Sequence, residues 1–247
     1  MHVKQRVLRN KIKASQRVVM DELIKDHNCN ICFFCGSKDD LTKEHVIPQW
    51  AFQSKSEQTL INKTNEQGQS YMQLTVPACR DCNSVLLSSL EDYLKRLFAE
   101  GDINNFSSTD IDCIIWWLQS LGYKLQLMDL RRKFLRHKNY DFIPFLSEVP
   151  IAMLRGDIDT TPFKTFGMLR RARKELIKKK KQGKHNSLIV FHTTNKSFYF
   201  FHKVDGFLFI ELPQVGLAFF FFFNKEFDNE QSAKNEGWEI IKKVYSD

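Results

Sequence analysis

Cysteine is scarce in this 247-residue chain. Four of its six cysteines fall into two Cys-x-x-Cys pairs, too few outside them for a disulfide framework, and this usage points to a reducing compartment. Acidic residues fall short of basic ones, 29 against 37, giving a formal charge of +8 and a pI near 9.1. Such a balance agrees with a polyanionic partner but does not specify chemistry. Long apolar runs are also missing. Phe207-Leu208-Phe209-Ile210 and Leu217-Ala218-Phe219-Phe220-Phe221-Phe222-Phe223 are separated by Glu211 and Pro213. Neither approaches the roughly 20 residues a spanning helix needs, so buried strands are expected and a membrane partner is not. The start, Met1-His2-Val3-Lys4-Gln5-Arg6, runs into alternating charges with no apolar core of signal-peptide length, so a cytoplasmic location is expected. There is no internal repeat and no Gly-rich phosphate loop.

What is present is a composite pattern: Cys32-x-x-Cys35-Gly36, then Glu44-His45-Val46-Ile47-Pro48, then Cys79-Arg80-Asp81-Cys82-Asn83. Two such cysteine pairs suit one tetrahedral structural zinc, since each supplies two sulfurs about 2.3 Å from the metal. Four sulfurs leave that ion no open position, so any chemistry falls to the residues between and beside the pairs. Cys29 precedes Cys32 closely enough for Cys29/Cys32 to be an alternative first pair; Gly36 favours the later one, because it permits a tight turn. Cys113 lies in an apolar helical pattern and reads as a small buried hydrophobe. The residue types between the pairs suit phosphodiester hydrolysis. An imidazole with an ordinary pKa near about 6.5 takes a proton from water at neutral pH, and carboxylate and amide oxygens are hard ligands for Mg²⁺ or Mn²⁺.

Across residues 29–98 this arrangement resembles the HNH, or ββα-metal, endonucleases, in which a hairpin carries an acid-His pair and a helix begins at a Cys-x-x-Cys-(His/Asn) step. The resemblance implies that His45 is the general base. It further implies that Glu44 and Asn83 hold a catalytic Mg²⁺ or Mn²⁺, and that Cys32, Cys35, Cys79 and Cys82 hold structural zinc. Asp or His is usual where Glu44 stands. The Asn that often steadies the base is replaced by the Leu74-Thr75-Val76 stretch, with Gln73, Asn65 or Asn62 as substitutes. Neighbours on an ideal strand point to opposite faces, so Glu44 and His45 converge only where the strand twists or ends, as Pro48 would allow.

Basic charge gathers in two places. Residues 164–184 hold Arg170, Arg171, Arg173, Lys174, Lys178, Lys179, Lys180 and Lys181, opposed only by Glu175; Arg131, Arg132, Lys133, Arg136 and Lys138 form a second cluster. Beside a phosphodiesterase centre, such runs are expected to hold phosphates. The remaining histidines, His2, His27, His137, His185, His192 and His202, read as ordinary surface or core residues.

Periodicity divides the chain into four segments. Residues 1–27 form a basic amphipathic helix with Leu8, Ile12, Val19 and Leu23 on its apolar face. Residues 28–100 form the nuclease module, with a polar loop over 62–70, a second strand over 72–76 and a helix from Asn83 bearing Leu86, Leu87, Leu90, Leu94 and Leu97. Residues 101–184 are helical and basic, with a helix capped by Ser108 or Thr109, a possible interruption at Gly122 and a basic helix over 163–181. Residues 185–247 hold strands over 188–191, 198–201, 207–210 and 215–223 and a closing helix over 229–245. The fold class is therefore α+β: a zinc-stabilised ββα-metal module, a helical basic segment and an antiparallel β-rich C-terminal region open to a protein partner. The function expected is metal-dependent endonuclease cleavage, of double-stranded DNA ahead of RNA, as in a restriction or phage-defence effector. The alternative is a zinc-dependent nucleic-acid-binding protein that does not cut.

Overall fold

The computed structural model describes residues 2–26, 28–52, 59–62, 67–100, 102–132, 162–178, 187–203 and 205–246. The fold is mixed α+β. Instead of one N-terminal helix there are two, α1 (His2–Ala14) and α2 (Gln16–Lys25). The break falls at Ser15, whose hydroxyl lies 2.9 Å from Lys11 O and 2.8 Å from Phe34 O. A serine hydroxyl competing for carbonyls is a recognised way to interrupt a helix. Leu8, Ile12, Val19 and Leu23 are all buried, as the periodicity requires.

β1 (Leu41–His45) pairs antiparallel with β4 (Thr75–Cys79), with Glu44 opposite Val76 and His45 opposite Thr75. The second strand thus lies three residues later than expected, because Tyr71–Gln73 closes into a 3₁₀ turn. The polar insert contains a separate antiparallel pair, β2 (Thr59–Asn62) and β3 (Gln67–Ser70), where the sequence suggests a loop. Such Gln- and Asn-rich stretches lack the alternating apolar pattern that announces a strand. After β4 comes a π-helical stretch, Asp81–Leu87, continuing as α3 (Ser88–Glu100). The helix α4 (Ser108–Arg132) runs through Gly122 without interruption, and α5 (Pro162–Ile177) is the basic helix.

A four-stranded antiparallel sheet follows in the order β5-β8-β7-β6, with β5 (Leu188–His192), β6 (Tyr199–Lys203), β7 (Phe207–Leu212) and β8 (Leu217–Phe222). The chain then enters α6 (Glu230–Ser246). The all-apolar β8 has a simple cause: both of its faces are covered. Alternate side chains point to opposite sides. Phe219 meets Phe98 at 4.9 Å and Trp117 at 6.4 Å between ring centroids, whereas Ala218, Phe220 and Phe222 join a cluster with Ala233 and Ile241 of α6. The phenylalanine run is thus core. Buried Glu211 in β7 is satisfied by Thr193, by Asn195 at 3.1 Å and by the Tyr245 hydroxyl at 3.0 Å.

By packing, the chain forms two discontinuous units, residues 1–90 with 123–178 and residues 91–122 with 179–247. These do not coincide with the four consecutive segments read from periodicity. The chain leaves the first unit within α3 and re-enters it within α4, and helical periodicity carries no mark of such a crossing. Among the described residues no helix is long and apolar enough to cross a membrane.

Candidate functional site

The first cysteine pair is a tight turn. Cys32 N–H donates to Ser37 O at 2.7 Å, and Gly36 N–H donates to Cys32 O at 2.8 Å. Gly36 sits at φ +77°, a left-handed conformation that glycine adopts without steric cost. The second pair spans the end of β4 and the start of the π-helical stretch, which turns Cys82 inward beside Cys79. The four Sγ atoms of Cys32, Cys35, Cys79 and Cys82 all lie within 4.8 Å of one another, and Cys35 and Cys79 approach to 3.6 Å. Tetrahedral ligands about 2.3 Å from zinc stand about 3.8 Å apart, so the cluster has the dimensions of a structural zinc site. Cys29 and Cys113 are not in the cluster.

Charge argues in the same direction. Cys32 is held below the ordinary thiol range by hydrogen bonds from Cys35 and Cys82. Its partners move the other way: Cys82 is raised, first by its bond with Cys32, and Cys35 is pushed up to about 11 for the same reason. Cys32, Cys35 and Cys82 thus oppose one another's ionisation, and a divalent cation removes that restriction.

His45 closes β1 and is partly exposed. The Gln49 carboxamide nitrogen lies 3.1 Å from its Nε2, while Nδ1 is buried without a hydrogen-bond partner among the described residues. Burial lowers its pKa, Glu44 works against that and Lys124 reinforces it, so the imidazole is neutral at neutral pH. Asn83, on the first turns after Cys79, reaches back to β1, its Nδ2 donating to Thr42 Oγ1 at 2.9 Å and lying 3.4 Å from Lys43 O. Asn83 thus touches β1 at Thr42 and Lys43, ahead of His45 at the strand's end.

Glu44, expected as a metal ligand, is paired within the core. Strand alternation turns it away from His45 and into the core, where it is 7 % exposed. Lys124 from α4, 1 % exposed, donates to Glu44 Oε1 and to His45 O, each at 2.8 Å. An ammonium on this carboxylate opposes a second cation at the same oxygen. Neither Lys124 nor Gln49 belongs to the motif that marks the site in sequence, although a lysine within the apolar stretch Leu121-Gly122-Tyr123-Lys124-Leu125 is itself a signal of a buried partner.

The basic helix also divides. Arg170, Arg171, Lys174 and Lys178 are exposed to differing degrees, the last pairing with Glu175, and their spacing places them along one side of α5. Arg173, expected among the residues that would hold phosphate, lies on the other side and is fully buried, out of reach of such a ligand. Lys179, Lys180 and Lys181 lie outside the described residues, as do Lys133, Arg136, Lys138 and Asn65.

The metal site yields a composition test. Purified protein is expected to carry one zinc per chain by elemental analysis, lost in Cys82→Ser and retained in Cys29→Ser and Cys113→Ser. The lysine pair yields a stability test. Lys124→Met strands a buried carboxylate and is expected to lower the unfolding free energy by about 3–5 kcal/mol in urea titration. Adding Glu44→Gln should recover most of that loss, because the double variant buries no net charge. Equal losses in the single and double variants would show that packing, not charge, fixes this position. Against protein-family profiles, curated proteins and solved structures, the chain gives no match.

Proposed function

We propose that this chain is a metal-dependent endonuclease of the ββα-metal kind, with His45 as its general base. The observation that carries the reading is the order of parts along one antiparallel strand pair: a neutral imidazole where β1 ends, and, from the opposite end of the pair, a helix entered through the second cysteine pair with Asn83 against Thr42 of the same strand. In this reading the zinc site has no part in the reaction and fixes where the helix leaves β4. His45 Nε2 accepts the proton of an attacking water, with Gln49 orienting that water or yielding its place. A Mg²⁺ or Mn²⁺ ion, when bound, would offset charge on the departing oxygen. Asn83 Oδ1 would be one of its ligands, because Nδ2 is engaged on β1. Glu44 would join only by parting from Lys124, and in the paired state its service is to pin the strand beneath His45.

The Glu44 to Lys124 ion pair is also the specific observation favouring the second reading, a zinc-stabilised nucleic-acid-binding protein that does not cut. In both readings nucleic acid is the partner, held through phosphates by Arg170, Arg171, Lys174 and Lys178.

Nicking of supercoiled plasmid with Mg²⁺ separates the two. His45→Ala is expected to cut about 100-fold more slowly than wild type while remaining folded. The base works unprotonated and its pKa is depressed, so the wild-type rate should hold on acidification past about pH 6.5 and fall only below that. Cleavage by folded His45→Ala at the wild-type rate would sink the assignment, and absence of cleavage by wild type would favour the binding reading. The basic side has its own test. Replacing Arg170, Arg171 and Lys174 by Gln should weaken binding to all duplex sequences alike. The slope of log affinity against log salt should flatten by about 0.9 for each phosphate that is no longer neutralised. An unchanged slope would return this side of the helix to an ordinary solvated surface.

A further inference from the structure

Arg173 is a buried cation whose partners among the described residues are all neutral. Its Nη1 donates to Phe33 O and, at 2.6 Å, to the Tyr123 hydroxyl; its Nη2 donates to Phe34 O at 2.8 Å and Ser15 Oγ at 2.7 Å, and lies 3.3 Å from Ile12 O. The guanidinium carbon stands 5.8 Å from the centre of the Tyr123 ring. None of these groups is a carboxylate, and a buried arginine without a counter-charge is costly.

The two carbonyls lead to the cysteine cluster. Phe33 and Phe34 are the residues between Cys32 and Cys35, so the fork of Arg173 grips the middle of the first cysteine turn. Four thiolates around one Zn²⁺ carry a net charge of about −2 by simple sum. Beside the second turn, Lys11 of α1 is already paired with Asp81, although it still senses Cys82 and Cys35. A second tie runs through Tyr123, whose hydroxyl donates to Phe33 O at 2.7 Å, and through Ser15, whose hydroxyl reaches Phe34 O. Both carbonyls of the turn are therefore doubly held, and Arg173 contributes to each.

We propose that Arg173 is the counter-ion and clamp of the zinc tetrathiolate, so that metal loading and the seating of α5 are a single equilibrium. The two faces of α5 then have distinct duties. Arg173, Leu169 and Leu176 are buried, while Arg170, Arg171, Lys174 and Lys178 are presented outward. Loss of zinc relaxes the turn that aligns Phe33 O with Phe34 O, and with it the seat of the Arg173 fork. By linkage, the factor by which zinc favours the seated α5 is also the factor by which the seated α5 favours zinc, so loss of the clamp weakens metal affinity. This holds whether or not the His45 site cuts nucleic acid.

Hydrogen–deuterium exchange on the full chain, zinc-loaded and after stripping by a chelator, tests the coupling. Stripping is expected to lower amide protection in α1 and α5 by at least about tenfold together with the cysteine turns, in line with the metal carrying folding energy, while β7 and β8 keep theirs. Protection of α5 that is unchanged on stripping would overturn the proposal. A second measurement follows zinc transfer to a chromophoric chelator. Arg173→Met should release zinc about 10- to 100-fold faster than wild type, the range found when groups supporting metal ligands are removed. Arg173→Lys, which keeps the charge but not the fork, should fall between, and Arg170→Gln should match wild type. If Arg173→Met does not fold, Arg173→Lys carries the test, and release at the wild-type rate from a folded variant at position 173 would equally overturn the idea.

Discussion

Four sulfurs from two short turns must meet at one point, and much of the first unit follows from that requirement. Cys35 and Cys79 lie 44 residues apart in the chain and 3.6 Å apart in space. Bringing them together fixes the register of β1 against β4, since Leu41 faces Cys79 at one end and His45 faces Thr75 at the other. It also fixes the point at which the helix leaves β4, and with it the placement of Asn83 against Thr42. The cost of closing so long a loop grows only slowly with its length, so a strong local bond between the ends suffices to hold it.

Two buried cations brace this arrangement from different helices. Lys124 holds the acid and the carbonyl at the end of β1, and Arg173 holds the two carbonyls of the first cysteine turn. Each reaches across a long stretch of sequence: Lys124 is 80 residues from Glu44, and Arg173 is 140 residues from Phe33. Ion–carbonyl contacts of this kind are geometrically exacting, so they specify one arrangement over near alternatives.

Those same two residues mark where the sequence ceases to be legible. Apolar spacing of 3.6 places Leu8, Ile12, Val19 and Leu23 in the core correctly, and alternation with turn signals finds β5 to β8 in order. Cysteine spacing and Gly36 pick Cys32 over Cys29 as the start of the first pair. All of these are local signals, readable within a window of a few residues. Arg173 sits among other basic residues and looks the same as its neighbours until the helix is rolled against α1, when its side proves to be the inward one. Glu44 resembles a ligand because of what adjoins it in sequence; its partner in the fold is distant and sits on a helix that reads as apolar. The break at Ser15 is hidden for a similar reason, since the carbonyl it reaches, Phe34 O, is 19 residues away.

The strand order of the C-terminal sheet decides which backbone groups are left to meet another molecule. β7 and β8, with nearly every residue buried, lie in the middle, paired on both sides. The margins belong to β5 and β6, which end in His192 and in His202-Lys203. A run such as Phe219-Phe220-Phe221-Phe222 exposed on a margin would be a template for intermolecular strand addition. Here the order β5-β8-β7-β6 quarantines it, and keeping folded copies of the chain from joining edge to edge rests on two modest outer strands staying in place.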